Sequence, residues 1–152
     1  MYYFRKKKKK DKPLPLFDKV GVKVQKKIDY LKKLDKVFSE YIRLRDSIGG
    51  YFRCISCGKI KPYNQADCGH YHSRRHMATR FDEDNCNAEC SYCNRFVADH
   101  LIGYRRNLID KIGKDKFDML EYKASQTKKW TDVELKYLID LYKEKISQLK
   151  KK

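Results

Sequence analysis

The stretch CGHYHSRRHMATRFDEDNCNAECSYCN, residues 68–94, decides the reading of this chain. It holds three of the four histidines, four of the six cysteines and the acidic run Asp82-Glu83-Asp84. It closes on CSYC, which gives Cys90 and Cys93, and a matching CISC upstream gives Cys54 and Cys57. Two residues between paired cysteines let both sulfurs reach one tetrahedral ion from a tight knuckle, and Gly58 suits such a turn. Two pairs supply four thiolates, the ligand set of a closed structural zinc site. A redox role for CxxC competes with this, but two such motifs in one small domain speak for metal. Cys68 and Cys86 are left over and read as small buried residues. The ion is expected to carry much of the folding free energy of so polar a core.

Outward from this stretch the patterns change. Residues 51–86 are punctuated by Gly58, Pro62, Asn64 and Gly69, which predicts short strands and loops. Upstream, Val24, Ile28, Leu31, Leu34, Phe38, Tyr41 and Ile42 recur at helical spacing. That predicts a helix over 24–46, ended by Gly49-Gly50. Downstream, Phe96, Val97, Leu101, Tyr104, Leu108, Ile109 and Ile112 predict one helix from about Ser91, with Gly113 as its stop. A short helix is expected over 114–124. In WTDVE, Thr131 and Glu134 form a capping box, with Trp130 as a staple at the entry. The last helix then spans Asp132 to Leu149, with Leu135, Leu138, Ile139, Tyr142 and Ile146 on one face. The organisation is thus a basic arm (1–23), a helix (24–50), a zinc-stabilised core (51–113) and a helical extension (114–152). The fold class is α+β.

Lys and Arg number 37 and Asp and Glu 20, a net charge of +17. This excess points to a nucleic acid partner. An anionic membrane surface is the rival, but no long apolar stretch supports it. The run Lys6, Lys7, Lys8, Lys9 and Lys10 is followed by DKPLPLFDK and not by an apolar core, so no secretory leader is expected. A reducing cytosol follows, where cysteines bind metal more often than they pair.

DCGHY (67–71), RFDEDNCNAEC (80–90) and CNRF (93–96) together resemble HNH nucleases that carry a four-cysteine zinc site. The nearest likeness is to the lambda-type NinG (Rap) recombination nucleases of bacteriophages. It covers roughly half of the chain, from CISCG at 54 to YRRNLIDKIG at 104–113, and resumes at WTDVE. The resemblance implies a ββα-metal core with a catalytic Mg²⁺ or Mn²⁺. It implies cleavage of branched DNA, such as Holliday junctions and D-loops, in the cytoplasm of a bacterial host. It makes His70 the general base, Asn85 the residue that orients it through its side-chain amide, and Asn94 a cation ligand. Resolution of a four-way junction uses two active sites, so a homodimer is expected, joined through the apolar stripes of the outer helices.

The pattern also departs from the family. Many HNH sites have an aspartate just before the catalytic histidine, where this chain has Gly69. Asp67 and His72 are the two candidate cation ligands. On a regular strand His72 shares a face with His70, and Asp67 does not. Val97 stands where the usual CNxxK ending has lysine. Arg74 and Arg75 beside the site suit the scissile phosphate. His100 is read as a surface residue, with metal or phosphate contact as the alternative. Arg80 and Phe81 are read as a packed anchor. Residues 66–100 carry six acidic side chains against four arginines, so an acidic centre that holds cations is expected within a basic periphery. A zinc module that holds nucleic acid without cutting it explains the charge and the four cysteines equally well. It does not explain His70, Asn85 and Asn94 at nuclease positions.

Overall fold

A computed structural model describes residues 28–151. Among these, five helices and two small sheets make up a mixed α+β fold. The arm with Lys6 to Lys10 lies outside the described residues. Helix α1 (Tyr30–Arg45) starts at its N-cap Asp29, whose carboxylate accepts from the Lys32 N–H at 3.0 Å. This capped start lies inside the predicted 24–46, and residues 24–27 are outside the described range. Gly49-Gly50 does not stop the helix. The helix ends at Arg45, and the two glycines form the two-residue turn between β1 (Ser47–Ile48) and β2 (Tyr51–Arg53). Their φ values of +58° and +81° match the primed hairpin turn, which only glycine adopts without strain.

Strand β2 pairs antiparallel with β3 (Ile60–Pro62), and the first knuckle, Cys54 to Cys57, fills the turn between them. The second sheet is the hairpin β4 (Ala66–His70) and β5 (Cys86–Cys90), in the register Asp67↔Glu89, Gly69↔Asn87 and His70↔Cys86. Helix α2 (Ser91–Phe96) follows β5 at once, which gives the order β, β, α. The helix expected from Ser91 to Ile112 is two helices, α2 and α3 (His100–Ile112), because Val97 is extended and breaks the period. The two bury different faces: Cys93 of α2 joins the cysteine cluster, while Tyr104 and Leu108 of α3 enter a separate core. Gly113, at φ +83°, stops α3 and leads into α4 (Lys114–Ala124). Helix α5 (Asp132–Lys150) opens on the predicted box: Thr131 Oγ1 accepts from Glu134 N at 3.2 Å, and Thr131 N donates to Glu134 Oε2 at 2.8 Å.

The stripes of α1 and α5 bury each other. Leu34, Phe38, Tyr41 and Ile42 meet Leu135, Ile139, Tyr142 and Ile146, with Phe81 edge-on to Phe38. Burying such a side chain contributes about 1.5–3 kcal/mol, so this pairing is a main source of stability. It also consumes the apolar faces assigned to a dimer interface. Trp130 packs edge-on to Phe81 and donates to Met77 O at 2.9 Å. None of the described helices is long and apolar enough to cross a membrane.

Candidate active site and metal cluster

The hairpin and both knuckles converge. The thiols of Cys54, Cys57, Cys90 and Cys93 lie within 4.8 Å of one another, a set that can hold a metal ion such as zinc. Local backbone bonds shape the first knuckle: Gly58 N donates to Cys54 O at 2.9 Å, and Cys54 N donates to Lys59 O at 3.0 Å. Cys90 N donates to Cys54 Sγ at 3.3 Å and so ties the two knuckles together. Burial pushes the Cys54 thiol up to about 11, so an ion must displace protons to bind. Helix α3 seats the first knuckle from outside. Asn107 Nδ2 donates to Ile55 O at 2.6 Å, and the backbone of Gly103 lies against Ser56 O.

One cavity of about 680 Å³ is lined by Asp67, Cys68, His70, Asn94 and the cations Lys36, Arg43, Arg74 and Arg95. Alternation along β4 puts Asp67 and His70 on opposite faces. The free outer edge of this strand still lets both line one cavity. Asn94, one residue beyond Cys93, has its side chain set by the cluster helix. Its Nδ2 donates to Asp67 Oδ2 at 3.2 Å. Arg95 holds Asp67 with two bonds of 2.9 and 3.0 Å. A second cavity of about 390 Å³ adds Arg75 and His100 to His70, Arg74 and Asn94.

The His70 ring is fixed by two carbonyls, Cys68 O at Nδ1 and Arg80 O at Nε2, each at 3.2 Å. Burial, helped by the nearby Arg74 charge, holds His70 below its ordinary 6.5, although the two carbonyls oppose this. The ring is therefore neutral at neutral pH, so only one of the two nitrogens donates to its carbonyl and the other carries a lone pair. Arg80 carries the carbonyl, and a bidentate pair with Asp35 at 3.0 and 2.6 Å anchors it.

Three expectations change here. Asn85 is fully buried, but its amide does not touch the His70 imidazole. It accepts from His72 N at 2.7 Å and donates to His72 O at 2.9 Å and Thr79 O at 3.0 Å. It thus pins the loop between the strands, and acts on His70 only through the backbone. His72 does not join the cavity of His70 and Asn94. The strand has ended, and its Nε2 faces Glu121 at 3.5 Å. The acidic run holds the protein's own cations. Glu83 takes Lys145 at 2.6 Å and Tyr41 OH at 2.7 Å, and Asp82 takes Lys123 at 2.8 Å. These bonds fasten the loop to α1, α4 and α5.

Other features had no clear signal in the sequence. Cys68, Cys86 and His70 bring three ligand atoms within 4.8 Å of one another, because alternation puts all three on one face. Arg45 bonds Asp46, Glu83 O and Cys86 O, and Asp46 in turn accepts from Ala88 N at 2.8 Å. On the opposite face, Glu89 is fully buried, and its Oε1 meets Ser56 Oγ at 2.5 Å and His100 Nδ1 at 2.6 Å. Alternation puts Glu89 and Asp67 on one face, but the partner His100 comes from a helix eleven residues on.

Fold and site together define a small α+β protein with a four-cysteine cluster beside a histidine-bearing cavity lined by four cations and three carboxylates. The family described as "Bacteriophage Lambda NinG protein" matches residues 3–152, and the chain belongs to that family. Proteins called "Protein ninG" from Escherichia phages 933W and lambda are each 31% identical over 122 residues. That of Salmonella phage P22 is 32% identical over 122 residues. Each alignment covers 80% of this chain but 57–58% of the relative, so the chain matches less than two thirds of their length. No solved structure matches.

Proposed function

We propose that this chain is a metal-dependent, HNH-type endonuclease that hydrolyses phosphodiester bonds in branched recombination intermediates such as Holliday junctions or D-loops. The observation that carries the reading is the shared cavity: His70 and Asn94 line it together, under Lys36, Arg43, Arg74 and Arg95. His70 is the general base. With Nε2–H donating to Arg80 O, Nδ1 carries the lone pair, and it takes a proton from the attacking water once the ring turns off the Cys68 carbonyl that it faces at 3.2 Å. Its depressed proton affinity keeps the ring neutral at pH 7. Asn94 holds the cation through its amide oxygen, since its nitrogen is given to Asp67. Asp67 orients Asn94 and adds negative charge at the cavity wall. The cation, Mg²⁺ or Mn²⁺, supplies charge stabilisation to the phosphate and the leaving oxygen when bound.

A structural zinc ion on Cys54, Cys57, Cys90 and Cys93 fits the four converging thiols and fixes the helix that carries Asn94. Arg74 and Arg75 grip the flanking phosphates, and Lys6 to Lys10 extend that grip. The test is cleavage of a labelled four-way junction by the zinc-loaded chain with Mg²⁺, without added Mg²⁺, and with His70→Ala. Wild type cuts only with the metal, and His70→Ala loses about 10²–10⁴ in rate. Binding without metal-dependent cutting by wild type refutes the nuclease and favours a zinc module that only holds DNA.

A further inference from the structure

The site described so far lacks one group. The HNH pattern has an acid at the position of Gly69, and the Asp67 carboxylate is already paired with Arg95. The structure brings a different acid to that place. A Cβ built on Gly69 would lie 2.8 Å from Glu89 Cβ and closer still to Glu89 Oε2. The Glu89 carboxylate therefore occupies, from the neighbouring strand, the space of a side chain at 69. It has no exposed surface, and its Oε2 has no hydrogen-bond partner among the described residues. Its Oε1 takes Ser56 Oγ and His100 Nδ1. His100 itself lines the cavity of His70 and Asn94, and its Nε2 has no protein partner among the described residues.

Resting on the nuclease reading above, we propose that His100, backed by the buried Glu89, is a ligand of the divalent cation that Asn94 binds. A carboxylate that accepts from one ring nitrogen fixes the tautomer and leaves the other nitrogen with its lone pair, the form that binds a metal. Here Nδ1–H donates to Glu89 Oε1, so Nε2 is the ligand atom. Glu89 is a positioning residue, and its buried negative charge supplies what the absent acid at 69 would have supplied. Gly69 is required because any side chain there would expel this carboxylate.

The experiment is a Mn²⁺ titration of the full, zinc-loaded chain without DNA, read by the EPR signal of free Mn²⁺. It is paired with four-way junction cleavage over a range of Mn²⁺. His100→Ala and Glu89→Gln are each expected to weaken Mn²⁺ binding 10–100-fold. Cleavage by both should recover at high Mn²⁺, while junction binding by the zinc-loaded chain without added Mn²⁺ stays unchanged. Because Glu89 is buried and its variant can misfold, wild type offers a second measurement. Bound Mn²⁺ should show the electron spin-echo modulation of a directly coordinated imidazole nitrogen, lost in His100→Ala. Unchanged Mn²⁺ affinity in His100→Ala, or bound Mn²⁺ with no coupled imidazole nitrogen, overturns the assignment and leaves the nuclease standing. Weaker junction binding by zinc-loaded His100→Ala without added Mn²⁺, with Mn²⁺ affinity intact, makes the ring a phosphate contact and overturns it too. A wild type that binds Mn²⁺ through His100 yet cuts no junction refutes the nuclease reading but not the ligand.

Discussion

Gly103→Ala should destabilise this protein, against the usual rule. In a helix interior, alanine in place of glycine normally gains about 1 kcal/mol. Gly103 lies in the first half of α3, where a Cβ would fall well under 3.0 Å from Ser56 O. Ser56 sits inside the first knuckle, whose backbone is held by the Gly58–Cys54 and Cys54–Lys59 bonds, so its carbonyl cannot swing aside. The helix has to retreat instead. Retreat strains the Asn107–Ile55 bond of 2.6 Å and lifts Tyr104 and Leu108 from their core. Overpacking of this kind costs ~1–3 kcal/mol, and weakening one hydrogen bond adds ~0.5–1.5 kcal/mol. Set against a propensity gain of ~1 kcal/mol, the net loss is ~1–3 kcal/mol. Urea unfolding of the metal-loaded chain, followed by far-UV circular dichroism, measures it. At a slope of ~1–3 kcal/mol/M the midpoint falls by about 1 M with the slope unchanged. Ile102→Ala, at a side chain 74% exposed on the same helix, is the control and should change little. A Gly103→Ala protein as stable as wild type, or more stable, refutes the seating of the helix on the knuckle.

Removing metal with a chelator, or Cys93→Ser, should unfold the core of the knuckles. Structural zinc contributes an apparent ~10–16 kcal/mol in zinc-finger peptides, against a total stability of ~5–15 kcal/mol for an ordinary domain. Loss of helical signal that returns with Zn²⁺ is the expected record. Asp46 should govern acid stability. Burial raises its carboxyl, but the Arg45 guanidinium and Lys111 outweigh this and hold it below its ordinary 3.8. Its contribution is therefore complete above that value and lost as pH falls through the lower folded one. Unfolding midpoints between pH 5 and pH 2 should fall less steeply for Asp46→Asn, and equal slopes would rule the pair out. The acid limb of kcat/KM for junction cleavage should lie below pH 6.5, because burial depresses His70. A limb above 6.5 would mean another base.

Much of the local structure is legible without coordinates. The CxxC pairs, the capping box of Thr131 and Glu134, the Gly113 stop and the apolar stripes of α1 and α5 each depend on neighbours within a few residues, and periodicity records such neighbours directly. Where local signals compete, the reading slips. Gly49-Gly50 serves a hairpin as well as a helix end, and the apolar period runs through Val97 although the chain turns there. The burial of Cys86, at the strand position opposite His70, follows from composition, but its convergence on His70 and Cys68 does not.

The candidate site divides in the same way. The residue types and spacing of His70, Asn85 and Asn94 resemble those of a nuclease, although Asn85 braces the loop and not the imidazole. Which of them share a cavity was decided by pairing across the hairpin and by the seating of α3. The acidic run illustrates the difference: its charges suggest a cation site, yet Lys145 and Lys123, far along the chain, pair with Glu83 and Asp82. Asp67 spends its charge on Arg95, and Glu89 comes to lie over Gly69. A sequence specifies which groups are available and which faces they share along one element. Only folding brings together groups distant in the chain, and the long-range pairing it creates leaves Glu89 Oε2 buried without a partner among the described residues.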